Sequence, residues 1–314
     1  MRIATWNVNS LKVRMPRVEE WLGYAQPDVL CLQETKMSDA AFPSMPFTAL
    51  GYESAHNGEG RWNGVAILSR VGLDAVSAGF GRSSAGTVAG AGALGGTVAG
   101  AGALGGTVGG VGDRSGAGAG PEGHGTAAPA EARMLSADCG GVRVSSVYVP
   151  NGRSVGSEHY LAKLAWLAQL RAHLESTCDP QGAVAVCGDF NVAPEDRDVW
   201  NRASLEGATH VSEPERAALA QLLDWGLVDG FRARYDQDRL YSWWDYRAGD
   251  FHQHRGMRID LLLLSRPLAE GISWALIDRF ARKGKLPSDH APVLVDLDPA
   301  VSLVHRKCGQ VQQL

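Results

Sequence analysis

Seven short apolar runs constrain this chain more than any other feature: Arg2–Trp6, Val29–Leu32, Val65–Leu68, Val142–Val149, Ala183–Cys187, Ile259–Leu264 and Val293–Leu297. None approaches the ~20 continuous apolar residues that a membrane span requires. Their length and their Val, Ile and Leu content fit strands buried on both faces. Helical patterns lie between them. A helix is expected from Pro16, burying Val18, Trp21 and Leu22. Leu161, Leu164, Ala165 and Ala168 suggest one apolar helix face. Ser212, Pro214 and Glu215 form a helix-start signature, with Ala218, Leu219, Leu222 and Leu223 inward and Gly226 as the stop. Strands alternating with helices and with strand-only stretches point to a layered α/β sandwich.

One segment stands apart. From about Gly79 to Ala130 the chain is dominated by Gly, Ala, Thr and Ser, and TVAGAGALGG occurs twice in succession, at 87–96 and 97–106. So little apolar surface cannot offset chain entropy, so a flexible surface insertion is expected rather than a solenoid. Gly90 to Gly95 also matches the dinucleotide fingerprint G-x-G-x-x-G. It has no strand before it and no helix pattern after it, which leaves low complexity as the better reading.

Apolar residues are 45% and charged residues 20% of the chain, enough for a sizeable core. The net charge of −4 argues against a surface that coats nucleic acid uniformly, so any phosphate binding has to be local. Five scattered cysteines without Cys-x-x-Cys spacing indicate neither a disulfide framework nor a zinc site. With no signal-peptide pattern at the start, the expected compartment is cytoplasmic.

The chemistry is suggested by where polar residues fall. Asn7 and Glu34 follow apolar runs, as do Asp189 and Asn191. Asp260 lies inside one, and Asp289 with His290 precedes the last. Side chains at strand ends can converge on one edge of a sheet. Singly each has a structural reading, since an Asn at a strand end is more often a turn former than a ligand. Jointly, four acids, two amides and one histidine are hard ligands plus one titrating base. That set suits Mg²⁺ or Mn²⁺ better than zinc, and phosphoryl transfer is its natural use.

Eight stretches then carry a resemblance: RIATWNVNS (2–10), LQETK (32–36), WNGVAILSR (62–70), SVYVPNGR (146–153), GDFNVAPEDRDVW (188–200), YSWWDYR (241–247), GMRIDLLLLS (256–265) and PSDHAPV (287–293). In order and over nearly the whole chain they resemble the motifs of the exonuclease III family of apurinic/apyrimidinic endonucleases. The resemblance implies a four-layered α/β sandwich, two mixed sheets face to face with outer helices. It implies one domain over residues 1–298, interrupted at about 79–131, with a tail at 299–314.

It further implies Glu34 as the principal metal ligand, with Asn7 nearby and Asp289 contributing from the far side. Asp189 would orient or deprotonate the attacking water. Asn191 and His290 would stabilise the phosphorus centre and, with Asp189, count among the implied metal ligands, and Asp260 would hold His290. Tyr148 would contact the scissile phosphate. Trp243, Trp244 and Met257 would form the pocket for a flipped-out abasic sugar. Lys36, Arg61, Arg153, Arg255 and Arg258 would meet phosphates. The implied enzyme is a Mg²⁺-dependent nuclease, with Mn²⁺ as a substitute. It would cut 5′ to abasic sites and trim 3′ ends of double-stranded DNA as a nucleoid-associated monomer, away from membranes. Three rivals stay open: another phosphoesterase of the superfamily, a non-catalytic DNA-binding descendant, and a carboxylate-pair glycosidase. The Trp-Trp cluster, the presence of Glu34, Asp189 and His290, and the Asp289-His290 dyad speak against them in turn.

Overall fold

The computed structural model describes residues 1–81 and 131–298. Most of the repeat-bearing segment, the fingerprint match at Gly90–Gly95 and the tail from 299 lie outside the described residues.

Each sheet is built around one parallel β-α-β unit. In the first, β1 (Arg2–Asn7), α1 (Leu11–Ala25) and β2 (Val29–Gln33) place Ile3 opposite Val29 and Asn7 opposite Gln33. The antiparallel strands β3 (Glu53–Asn57) and β4 (Val65–Ser69) extend one side. The second sheet carries β5 (Asp74–Ala78), β6 (Met134–Cys139), β7 (Val142–Tyr148), α3 (Glu158–Thr177) and β8 (Val184–Asp189), the short α2 (Ser44–Ala49) belonging to the first. It is completed, after α4 (Glu213–Asp224), by β9 (Leu227–Asp229) and β10 (Asp260–Ser265). After α5 (Arg266–Ala269), β11 (Ile272–Ile277) and β12 (Val293–Leu297) return to the first sheet. The orders are β11-β12-β1-β2-β4-β3 and β5-β6-β7-β8-β10-β9.

The period-2 alternation of buried strands builds three apolar layers. Ile3, Val29, Cys31, Val65 and Ile67 meet Leu135, Val144, Ala185, Cys187 and Leu262 between the sheets. Ala4, Trp6, Leu30, Leu32 and Leu68 turn the other way, onto Val18, Trp21 and Leu22 of α1. Val147, Val184, Val186 and Leu263 pack on Leu167, Leu170 and Leu174 of α3 and Leu219 and Leu222 of α4. The result is the expected sandwich of two mixed sheets between helices. No described helix is long and apolar enough to cross a membrane.

Two helix expectations are corrected. The first helix begins at Leu11 and takes Pro16 into its second turn rather than starting there. On α3 the face named from sequence is largely solvated, Leu161 being 60% exposed, and the buried face is Tyr160, Lys163, Leu167, Leu170 and Leu174. The helix is apolar on several sides, so its period was ambiguous. What fixes the face is a buried lysine whose partner, Glu215, is 52 residues away. The α4 signature forms the capping box read from Ser212 and Glu215.

Candidate active site

The C-terminal ends of the parallel strands β1 and β2 and of β7 and β8 open at one edge of the sandwich. Because β10 runs antiparallel to β8, its first residue, Asp260, lies opposite Asp189. Because β12 runs antiparallel to β1, His290 enters at the same edge, with Val293 opposite Thr5. Asn7, Glu34, Asp189, Asn191, Asp260 and His290 are thereby brought together from both sheets. Such an edge is where open α/β sheets place ligands.

Backbone strain marks the place. Asn9, Glu34, Lys36, Arg153, Asn191 and His210 all adopt left-handed φ, between 44° and 79°. Left-handed backbone at non-glycine residues persists only where surroundings over-determine it. Around Glu34 they do: its carbonyl accepts from Ser10 N at 2.7 Å, and Thr35 N and Lys36 N donate to Gly64 O and Asn63 O.

Asn7 is the hub. Its Nδ2 donates to Glu34 Oε1 at 2.8 Å and Asp189 Oδ2 at 2.9 Å, while its Oδ1 accepts from Asn9 N at 3.0 Å. An N–H can only meet the amide oxygen, so the amide is fixed as a bridge between carboxylates. Asn7 thus joins the two carboxylates through its Nδ2, while its Oδ1 accepts a single backbone N–H. Lys36 lies 2.8 Å from Glu34 Oε2. Asp289 stands just beside the cluster, its oxygens accepting from Asn9 Nδ2 at 3.0 Å and Trp243 Nε1 at 3.2 Å.

His290 Nδ1 faces Asp260 Oδ2 at 2.8 Å, and Nε2 lies 3.8 Å from Asp189 Oδ2. Asp260 is in turn held by Ser242 Oγ, which donates to it at 2.6 Å. Burial alone would lower the His290 pKa, but the charge and hydrogen bond of Asp260 outweigh it and raise it to about 10. The protonated ring has an N–H to offer at Nε2. Burial pushes Asp189 up to about 7, with Asp260 and Glu34 adding to the rise and His290 opposing it. Burial, then the charges of Glu34 and Asp189, hold the Tyr148 phenol well above its usual range, so it stays a donor, hydrogen-bonded to Glu34. One oxygen each from Glu34 and Asp189 and a ring nitrogen of His290 lie within 4.8 Å of one another. Two close carboxylates at an edge fit a hard divalent cation, with Glu34 as the ligand and Asp189 beside it.

Two of the implied DNA contacts are misplaced. Arg258 is fully buried, its Nε and Nη1 each 2.7 Å from Asp198 and Asp229, so no face is left for a phosphate. Trp244 is also fully buried, packed on Phe251 at 5.1 Å and Tyr241 at 6.5 Å. Successive residues of an extended segment point to opposite sides. Trp243, its neighbour, accordingly reaches the site: its ring lies 6.5 Å from His290 and pairs through backbone with Met257. Arg61 and Arg153 are exposed, and Arg255, paired with Asp250, sits over the Trp200 ring.

Four site residues were not singled out from sequence. Asn9, Asn151 and Ser242 lie inside the quoted motifs and could have been read from them. His210, whose Nε2 is 3.1 Å from Asn191 Oδ1, lies outside every motif.

Comparison with known proteins agrees with this geometry. Residues 4–290 match the Endonuclease/Exonuclease/phosphatase family. Exodeoxyribonuclease III of Haemophilus influenzae is 29% identical over 308 residues, covering 93% of this chain and 98% of the relative. An AP endonuclease from Archaeoglobus fulgidus superposes with a TM-score of 0.77 at 32% identity, over 95% of this chain and 99% of that one. The 3′ phosphatase NExo from Neisseria, solved with product DNA hairpin, gives 0.77 at 31%, over 95% and 99%. The chain belongs to the endonuclease/exonuclease/phosphatase family and, within it, to the exonuclease III group of AP endonucleases.

Proposed function

We propose that this protein is a Mg²⁺-dependent DNA-repair nuclease that incises duplex DNA 5′ to abasic sites and trims 3′ ends. The observation that carries the reading is the Glu34, Asp189 and His290 cluster, with Asp260 behind the histidine. Lys36 beside Glu34 and the exposed Arg61 and Arg153 supply local positive charge in a chain of net charge −4.

In this reading Asp189 accepts the proton of the attacking water, its pKa near 7 matching that task. The His290 imidazolium and the Asn191 amide donate to the phosphate oxygens as charge builds there. Tyr148 would turn its single O–H from Glu34 to the same group. A magnesium ion held by Glu34 would supply further neutralisation of the phosphate. Trp243, backed by Met257, walls the side where a base-free sugar would enter.

Purified protein and a labelled duplex carrying one tetrahydrofuran abasic analogue test the proposal. Incision 5′ to the lesion with Mg²⁺, lost in EDTA and slower on undamaged duplex, is expected; no cleavage of either duplex would sink it. The kcat/KM profile against pH is expected to be a bell. The rate falls as pH drops through about 7, where Asp189 gains a proton, and again as pH rises through about 10, where His290 loses one. Asp260→Asn removes the anion that holds the imidazolium, so it should move the alkaline limb down; an unmoved limb would reassign it.

A further inference from the structure

The hydrogen bonds of Asn191 leave one polar hydrogen unspent. Its Nδ2 donates to Val149 O at 3.0 Å, which fixes the amide orientation because a carbonyl can only accept. Its Oδ1 then accepts from Asn151 Nδ2 at 3.3 Å and lies 3.1 Å from His210 Nε2. Asn151 Nδ2 also lies 3.2 Å from His210 Nε2, and the tautomer with its proton on Nε2 is the one that donates to Asn191 Oδ1. No described residue uses the second Nδ2 hydrogen.

Both ends of the His210–Asn191 contact are fixed by one buried ion pair. Lys163 of α3 and Glu215 of α4 are bonded to each other with 0% side-chain exposure. Lys163 Nζ donates to Asn191 O at 2.6 Å and Asn151 O at 3.3 Å. Glu215 Oε1 accepts from His210 N at 2.9 Å and Thr209 Oγ1 at 2.6 Å. Replacing a buried ion pair by apolar side chains is often neutral or stabilising. A lysine buried on a helix rich in leucine and alanine is thus poorly explained by stability. Holding two loops in left-handed backbone explains it, because Asn191 has φ 51° and His210 φ 79°.

We propose that His210 is a positioning residue for Asn191: anchored by the Lys163–Glu215 pair, it occupies the amide oxygen and so directs the remaining N–H at the substrate phosphate. The proposal rests on the nuclease reading. It also assigns Asn191 as a phosphate donor rather than a metal ligand, since its oxygen is already taken.

The test is a double-mutant cycle on the abasic duplex with thermal unfolding followed in each variant. His210→Gly removes the ring while suiting left-handed backbone. It is expected to lower kcat by about tenfold to a hundredfold, with KM changed less than about twofold. His210→Gln, whose amide can donate to the same oxygen, should recover most of the loss. In an Asn191→Ala background His210→Gly should cost nothing more. Equal losses in both backgrounds, or an unchanged kcat, would overturn the proposal while leaving the nuclease reading intact. An inactive wild-type protein would overturn both.

Discussion

Asp189→Asn is expected to lower kcat on an abasic duplex by about three orders of magnitude without loosening the fold. The amide keeps the shape of the side chain but cannot take a proton. The stability sign is opposite to that of a structural carboxylate. Burial raises the folded-state pKa to about 7, so the folded protein holds this proton more tightly than the unfolded chain does. Above the ordinary carboxylate range, ionised Asp189 therefore costs stability, increasingly up to its folded pKa. The neutral variant should unfold at the same temperature as wild type, or higher, at pH 8. A variant both inactive and clearly less stable would show that Asp189 holds the site together rather than working in it.

Arg258→Met is expected to cost about 3–5 kcal/mol of stability, because it strands Asp198 and Asp229 against a buried apolar side chain. Asp198 keeps its second arginine, Arg232, so the lower part of that range is favoured. Denaturant titration measures the loss. Had Arg258 met a phosphate, the same change would leave the midpoint alone, weaken DNA binding at every sequence and reduce its salt dependence. The two outcomes separate cleanly, and the buried triad of Arg258, Asp198 and Asp229 favours the first.

The strands legible in the sequence are those at the middle of the sheets. All seven apolar runs became β1, β2, β4, β7, β8, β10 and β12, because a strand covered on both faces is apolar at most positions. Of the five that escaped, β3, β5, β9 and β11 are the sheet edges and β6 neighbours one. Edge strands such as ESAHN and DAVSA carry polar residues that blunt their open hydrogen-bonding side, which removes the signal. At the site, residues at strand ends were readable because the strands were. Arg258 and Trp244 were not, because whether a cation faces solvent or an acid, or a ring faces the site or the core, depends on partners far away in sequence. His210 shows the same limit from the other side: its contact exists only once Glu215 and Lys163 have met.

The pairing of β12 with β1 joins the last described strand to the first, and His290 arrives with it. During synthesis the amino-terminal half can assemble Asn7 beside Glu34 long before His290 leaves the ribosome. The catalytic constellation is therefore closed by the pairing of the chain's two distant ends, and loosening β12 from β1 would withdraw His290 from it.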